Sequence, residues 1–269
     1  MHQSEFALTI AALRLRFGTP AAAAVAQELA RLGVSRALLL STASQAAHAR
    51  AFAAAVGDRI ADVYAGAMMH TPVEVTVKAL EFAKEVRADG LVSLGGGSTI
   101  GLGKALALHT DLPQIAVPTT YAGSEVTAIL GQTEAGRKVT LTGPRVQPEV
   151  IIYDPALVAS LPVSLTVASG RNAMAHAAEA LYARDRNPLT ATLALQGLQA
   201  MPQGLPQVVE NQTDLAARGR TQYGAFLCGL VLGQVGMSLH HKLCHTLGGS
   251  FGLPHAETHA VHAAACAGL

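Results

Sequence analysis

The chain has 269 residues, half of them hydrophobic and only 14% charged, with 19 Lys and Arg against 18 Asp and Glu. That length is ample for a buried core in one large or two modest domains, and the apolar content excludes an intrinsically disordered chain. A net charge of +1 without a basic cluster gives no electrostatic footprint for nucleic acid, and the three cysteines (Cys228, Cys244, Cys266) are an odd number at spacings that suit neither a disulfide framework nor a CxxC metal site.

The N-terminus lacks the basic stretch and long apolar run of a signal peptide. Residues 6–10 and 13–17 read as strands, arranged as a hairpin. A helix is expected over residues 20–32, with Thr19 as N-cap, Pro20 at the first position and Gly33 past the end. Residues 36–40 form a strand closed by Ser41 and Thr42, and residues 43–56 a helix. A strand over 60–64, a helix over 73–88 after Pro72, a strand over 90–94 and a strand over 114–117 follow. Alternation of strand and helix argues for a parallel sheet flanked by helices. After Asp154 and Pro155 the texture changes. Residues 164–183, 189–201, 215–237 and 239–247 all have helical composition, and Pro155 and Pro162 punctuate a boundary at 155–162. The division expected is an α/β domain over 1–158 and an all-α domain over 159–269. The apolar stretch 223–237 is too short and glycine-rich, with Gln234 inside it, to span a membrane. A reducing, cytoplasmic location is expected.

Two loops and a set of histidines carry chemistry. Gly95, Gly96, Gly97 and Ser98 follow a strand and open a helix. Glycines let a backbone approach a pyrophosphate closely, and a helix N-terminus offers unpaired N–H groups and the positive end of a dipole. The loop is neither GxGxxG nor a P-loop. The second loop, residues 118–127, is rich in small polar residues, and on composition it reads best as hydroxyls bonding their own backbone. Asn172 and His176 are four residues apart on one expected helix, His241 and His245 four apart on another, and His255 follows in a Gly-Leu-Pro-His loop. Each i,i+4 pair shares a helical face, and imidazole binds metals or moves protons near neutral pH. His259 and His262 read as part of an Ala/His-rich tail.

These segments together resemble the iron-containing alcohol dehydrogenase superfamily. The resemblance rests on Gly-Gly-Gly-Ser-Thr-Ile-Gly, Pro-Thr-Thr-Tyr-Ala-Gly-Ser-Glu, Tyr153-Asp154-Pro155, Asn172-Ala-Met-Ala-His176, and the run from His240 through His245 and His255 to His259. Within the superfamily the chain is most similar to the maleylacetate reductase branch. The resemblance implies a dehydroquinate synthase-like fold: a dinucleotide-binding α/β domain, an all-helical domain, and an active site in the cleft between them. It implies that Gly95, Gly96, Gly97 and Ser98 hold the cofactor pyrophosphate. Thr119, Thr120 and Thr127 would lie near the nicotinamide half, and Lys138 would contact the cofactor. Ser41 and Thr42 fall where the adenosine ribose is bound. NAD-selective relatives carry an Asp there, so its absence leaves room for both NADH and NADPH.

The superfamily's metal-ligand positions fall at Asn172, His176, His241 and His255. An amide in place of an aspartate leaves the ion's charge uncompensated, so no divalent metal (iron or zinc) is expected. Arg171 beside it is expected to be a surface charge rather than a substrate contact. The implied reaction is NAD(P)H-dependent reduction of maleylacetate, a small dicarboxylate, to 3-oxoadipate by a homodimer without nucleic-acid or membrane partners. His241 and His245 would polarise the substrate and donate the proton, helped by His176, His255 and Tyr121. The alternatives are a metal-dependent alcohol dehydrogenase of the same superfamily and a non-catalytic nucleotide-binding protein. The helical domain, 159–269, is shorter than the resemblance leads one to expect.

Overall fold

The structure is a computed structural model and describes residues 6–18, 20–237, 241–244, 246 and 247. The expectations at Thr19, His245, His255, His259 and His262 lie outside the described residues.

Six strands, β1 (Arg14–Phe17), β2 (Ala37–Leu40), β3 (Ile60–Tyr64), β4 (Gly90–Gly95), β5 (Gln114–Pro118) and β8 (Val150–Tyr153), form one parallel sheet in the order β1-β8-β5-β4-β2-β3. The central strands are continuous apolar runs buried throughout, as a sheet covered on both faces requires. Four helices cross between them: α1 (Ala21–Arg31), α2 (Ala46–Val56), α3 (Val73–Glu85) and α4 (Gly97–Thr110). α3 and α4 pack together over Leu38, Leu40 and Leu91. α1 and α2 pack together, and the alternate side chains Leu39 and Val92 are buried on the opposite pleat. The backbone N–H of Ala21, in the first turn of α1, is satisfied by the Asp154 carboxylate at 2.8 Å.

The expected N-terminal hairpin is absent. Residues 6–13 form no strand, and β1 instead pairs in parallel with β8. Alternation within a short segment carries no information about its partner, and the apolar run Val150–Tyr153 was the partner available. A second departure is a two-stranded antiparallel hairpin, β6 (Ile129–Glu134) and β7 (Arg137–Thr142), outside the main sheet. Its turn residues Ala135 and Gly136 both have positive φ (47° and 76°), as a two-residue hairpin turn demands. β7 is exposed along its whole length, so no buried face marked it in the sequence. Lys104, almost fully buried on α4, tethers the hairpin by donating to the Ile129 carbonyl at 2.9 Å.

The chain groups into two compact units. One comprises residues 12–119 and 128–154; the other comprises residues 120–127 with the described residues before 12 and after 154. The segment 120–127 therefore groups with the helical unit, although the sequence division placed it in the N-terminal domain.

The helical unit is built on α5 (Val163–Tyr182), α6 (Pro188–Glu210) and α7 (Leu215–Leu232). α6 runs nine residues past the expected end and contains Pro202 and Pro206. Each proline removes a helix hydrogen bond, but packing against α5 and α7 holds the helix together. Met201 is fully buried against the bare backbone of Gly224, and Gly204 lies against Thr221. Asn187 caps α6 through a reciprocal capping box with Thr190, and Asp214 caps α7. Cys228 sits in this core, where burial pushes its thiol up to about 12, so it is an inert packing group. Among the described residues no helix is long and apolar enough to cross a membrane.

Candidate active site

In the sheet unit the chain leaves β2 toward β3, crosses back to β4 and continues toward β5. With right-handed crossovers, strand order therefore reverses between β2 and β4, and an open α/β sheet binds its ligand beyond the carboxyl ends of the strands at such a point. The loops there are Ser41-Thr42 after β2 and residues 95–98 after β4. Gly95 is buried with φ +157°, and a β-carbon on it would lie 2.4 Å from Thr99 Oγ1. Gly96 is the N-cap of α4 and Gly97 is exposed. The strand thus turns directly into the helix, whose Thr99 and Ile100 N–H groups already bond the Gly96 carbonyl. Two hydroxyls at this point are buried without a hydrogen-bond partner: Ser41 Oγ and Thr99 Oγ1. Such atoms are costly unless another group satisfies them, which makes this turn a candidate ligand cradle. Thr99, whose hydroxyl the sequence leaves open to capping the helix or bonding a phosphate oxygen, joins the candidate set. Thr42 Oγ1 lies 3.1 Å from Ser44 Oγ, and no acidic residue stands among residues 41–46. Thr119 is anchored by its N–H to the Gly95 carbonyl at 3.0 Å. Lys138 is exposed on β7.

In the helical unit, residues 120–127 are held by Arg218 on α7. This arginine is fully buried, and its guanidinium donates to Tyr121 Oη (3.1 Å), Thr166 Oγ1 (2.9 Å) and the carbonyls of Gln212, Ala159 and Leu161. Gly123, at φ +80°, meets Gly229 of α7 so closely that a β-carbon on Gly229 would stand 2.4 Å from the Gly123 carbonyl oxygen. Tyr121, the expected catalytic helper, is 0% exposed, and its hydroxyl is tied to Arg218. Burial raises its pKa, with Arg218 pulling the other way. Thr127 is also buried, and its hydroxyl donates to the Ser124 carbonyl at 3.0 Å, in line with the backbone-bonding reading of this loop. Thr120 is half-buried.

α5 brings the polar centre together. Asn172, His176 and Glu179 occupy positions i, i+4 and i+7 of this helix, one face of it, and all three are buried. The His176 ring lies 4.8 Å from that of His241, centroid to centroid. Glu179 Oε2 is 2.6 Å from His241 Nδ1, and Oε1 accepts the His241 backbone N–H at 3.2 Å. Tyr182 Oη donates to the same Oε1 at 3.1 Å. Asn172 Oδ1 is buried without a partner. Arg171 is exposed. Glu179 was missed from the sequence, although its spacing from Asn172 and His176 was the available signal; as one acid in an Ala-rich helix it carried no other mark.

Family models for iron-containing alcohol dehydrogenase and for the C-terminal part of the Fe-containing alcohol dehydrogenase family match residues 12–155 and 166–268. The chain is 61% identical over 256 residues to a maleylacetate reductase of a Rhizobium species, covering 95% of this chain and 73% of that one. The crystal structure of maleylacetate reductase from Agrobacterium tumefaciens superposes with a TM-score of 0.93 at 59% identity, covering 96% of this chain and 74% of that one. An iron-containing alcohol dehydrogenase from Corynebacterium glutamicum superposes with a TM-score of 0.92 at 39% identity, covering 99% and 79%. With the parallel sheet, the glycine turn and the α5 polar cluster in place, these matches establish that the chain belongs to the iron-containing alcohol dehydrogenase family.

Proposed function

We propose that this protein reduces maleylacetate to 3-oxoadipate at the expense of NADH or NADPH, in the degradation of aromatic compounds. The observation that carries the reading is the 61% identity to a maleylacetate reductase along 95% of the chain. We assign Ser41, Thr42, residues 95–98 and Thr99 to the cofactor, with Thr119, Thr120 and Lys138 beside its nicotinamide half. The bound nicotinamide supplies a hydride to the carbon–carbon double bond conjugated with the substrate carbonyl. Electron density then moves onto the carbonyl oxygen, and a proton must reach the neighbouring carbon. His241 and His245 are the proposed polarising and proton-donating pair, with His176 and His255 beside them. Imidazole serves both tasks because its ordinary pKa lies near neutrality.

The family implies a divalent metal, and the described donors suit one poorly. Asn172, His176 and His241 carry no compensating charge. The buried carboxylate of Glu179 is engaged with His241 instead. We therefore derive no step through a metal. A cytoplasmic homodimer acting on a small dicarboxylate completes the reading.

The test is oxidation of NADH and NADPH by the purified protein with maleylacetate, against simple aldehydes and ketones, with and without chelator. Expected are turnover with maleylacetate, none with simple carbonyls, and indifference to chelation. Stoichiometric iron or zinc whose removal abolishes turnover would instead favour the metal-dependent alcohol dehydrogenase chemistry.

A further inference from the structure

We propose that Glu179 is a positioning residue that sets both the orientation and the tautomer of His241. The inference rests on the reading of His241 as a group that acts on the substrate. The carboxylate holds this residue at two points: Oε2 on ring Nδ1 at 2.6 Å and Oε1 on the backbone N–H at 3.2 Å. An ionised carboxylate only accepts hydrogen bonds. With Glu179 ionised, the pairing assigns the ring proton to Nδ1, and Nε2 is then the ring nitrogen through which His241 acts. The main-chain bond fixes where the side chain begins and the ring bond fixes where it points, so the imidazole has no freedom to turn over. His176, one turn before Glu179 on the same helical face, lies against the ring at a 32° interplanar angle and limits tilting.

Packing alone does not account for a carboxylate here. Glu179 is 1% exposed within a helix whose other buried positions carry no charged carboxylate or ammonium group and include Ala173, Ala175, Ala177 and Ala180. Burying such a group costs several kcal/mol before its hydrogen bonds offset it, and an apolar side chain would fill the same space at less cost. Tyr182 Oη, donating to Oε1 from three residues on, holds the carboxylate rotamer that presents both oxygens to His241. Carboxylates that bond the second nitrogen of a metal-ligating histidine commonly contribute about 10–100-fold to affinity or activity, and we take the same order for a histidine that acts on substrate.

Two variants separate positioning from packing. In Glu179→Gln the shape is kept, but with the amide oxygen on the main-chain N–H an NH2 donor faces Nδ1, so either the ring bond is lost or the ring is driven to the opposite tautomer. Glu179→Asp keeps both acceptors on a stem one methylene shorter. Expected for Glu179→Gln is a fall in kcat of about 10–100-fold, with the NADH dissociation constant and thermal midpoint near wild type. Glu179→Asp should recover part of the loss. Wild-type kcat in Glu179→Gln overturns the proposal, as does a loss in Glu179→Gln that appears wholly in NADH binding. A second readout needs no activity and is made on the wild-type protein: nitrogen-15 NMR of labelled histidines. A proton on His241 Nδ1 is expected, and the Nε2–H tautomer overturns the proposal even if Glu179→Gln does not fold. Absence of maleylacetate turnover in the wild type, with Nδ1 protonated, would refute the substrate assignment and leave the positioning role standing.

Discussion

Replacing Gly95 by alanine tests whether the strand-to-helix turn is shaped for a dinucleotide. The new β-carbon would stand 2.4 Å from Thr99 Oγ1 and 2.8 Å from Thr99 Cβ, against roughly 3.5 Å for a relaxed contact. Because Thr99 is fully buried, it cannot swing away without displacing the first turn of α4. Overpacking of this kind costs about 1–3 kcal/mol. The strained first turn is also the one whose N–H groups would meet the pyrophosphate, so part of that cost should appear as weaker binding. At 1.4 kcal/mol per decade, NADH affinity should fall by about 5- to 100-fold. The chain has no tryptophan, so the fluorescence of bound NADH can be titrated directly, with the thermal midpoint followed in parallel. Thr99→Ala should weaken binding modestly by removing the hydroxyl. In the double variant the loss should be smaller than the sum, because the clash partner has gone. An NADH affinity within twofold of wild type in a folded Gly95→Ala protein would refute the assignment, and strict additivity would refute the steric argument.

Thr42→Asp should raise the KM for NADPH at least about tenfold more than that for NADH, since a carboxylate at the end of β2 repels a 2′-phosphate; rejection of NADPH by the wild type already would show that the strand end is misread. Gly229→Ala places a β-carbon 2.4 Å from the Gly123 carbonyl oxygen and must move residues 120–127. It should lower the thermal midpoint by several degrees, about 2–4 °C for each kcal/mol, and an unchanged midpoint would deny the close approach. Glu28, 1% exposed, is opposed by desolvation, yet its bonds from Arg31, Arg14 and Arg16 outweigh this and bring its carboxyl from 4.5 down to about 2. A depressed carboxyl stabilises above its unfolded pKa and loses that contribution as pH falls through its folded value. The shift corresponds to roughly 3 kcal/mol at 1.36 per unit, reduced to about 1–2 by solvent around arginines that are a quarter to a half exposed. Urea unfolding should show Glu28→Gln weaker than wild type by that amount at pH 7, with the gap closing between pH 4.5 and 2; a gap independent of pH would refute the linkage.

The parallel sheet, its crossing helices and the glycine turn were legible in the sequence because each is written in local terms. Apolar runs such as those of Ala37–Leu40 and Gly90–Gly95, short and bounded by turn residues, read as covered strands, and three glycines between a strand and a helix permit the tight turn and close approach that other residues would block. Asn172 and His176 were legible as a pair for the same reason, since helical spacing alone puts them on one face. What depended on partners distant in sequence was decided only by tertiary structure. β1 had to find β8, 136 positions away, and nothing in Arg14–Phe17 names that partner. The β6–β7 hairpin escaped because an exposed strand has no buried face to impose alternation. The hydrogen bond of Tyr121 to Arg218, 97 residues on, is likewise invisible in the local sequence. Glu179 became interpretable only when His241, 62 residues away, arrived beside it. Local spacing specifies which residues share a face, whereas the bond that turns a buried acid into a positioning group forms only when two distant segments pack.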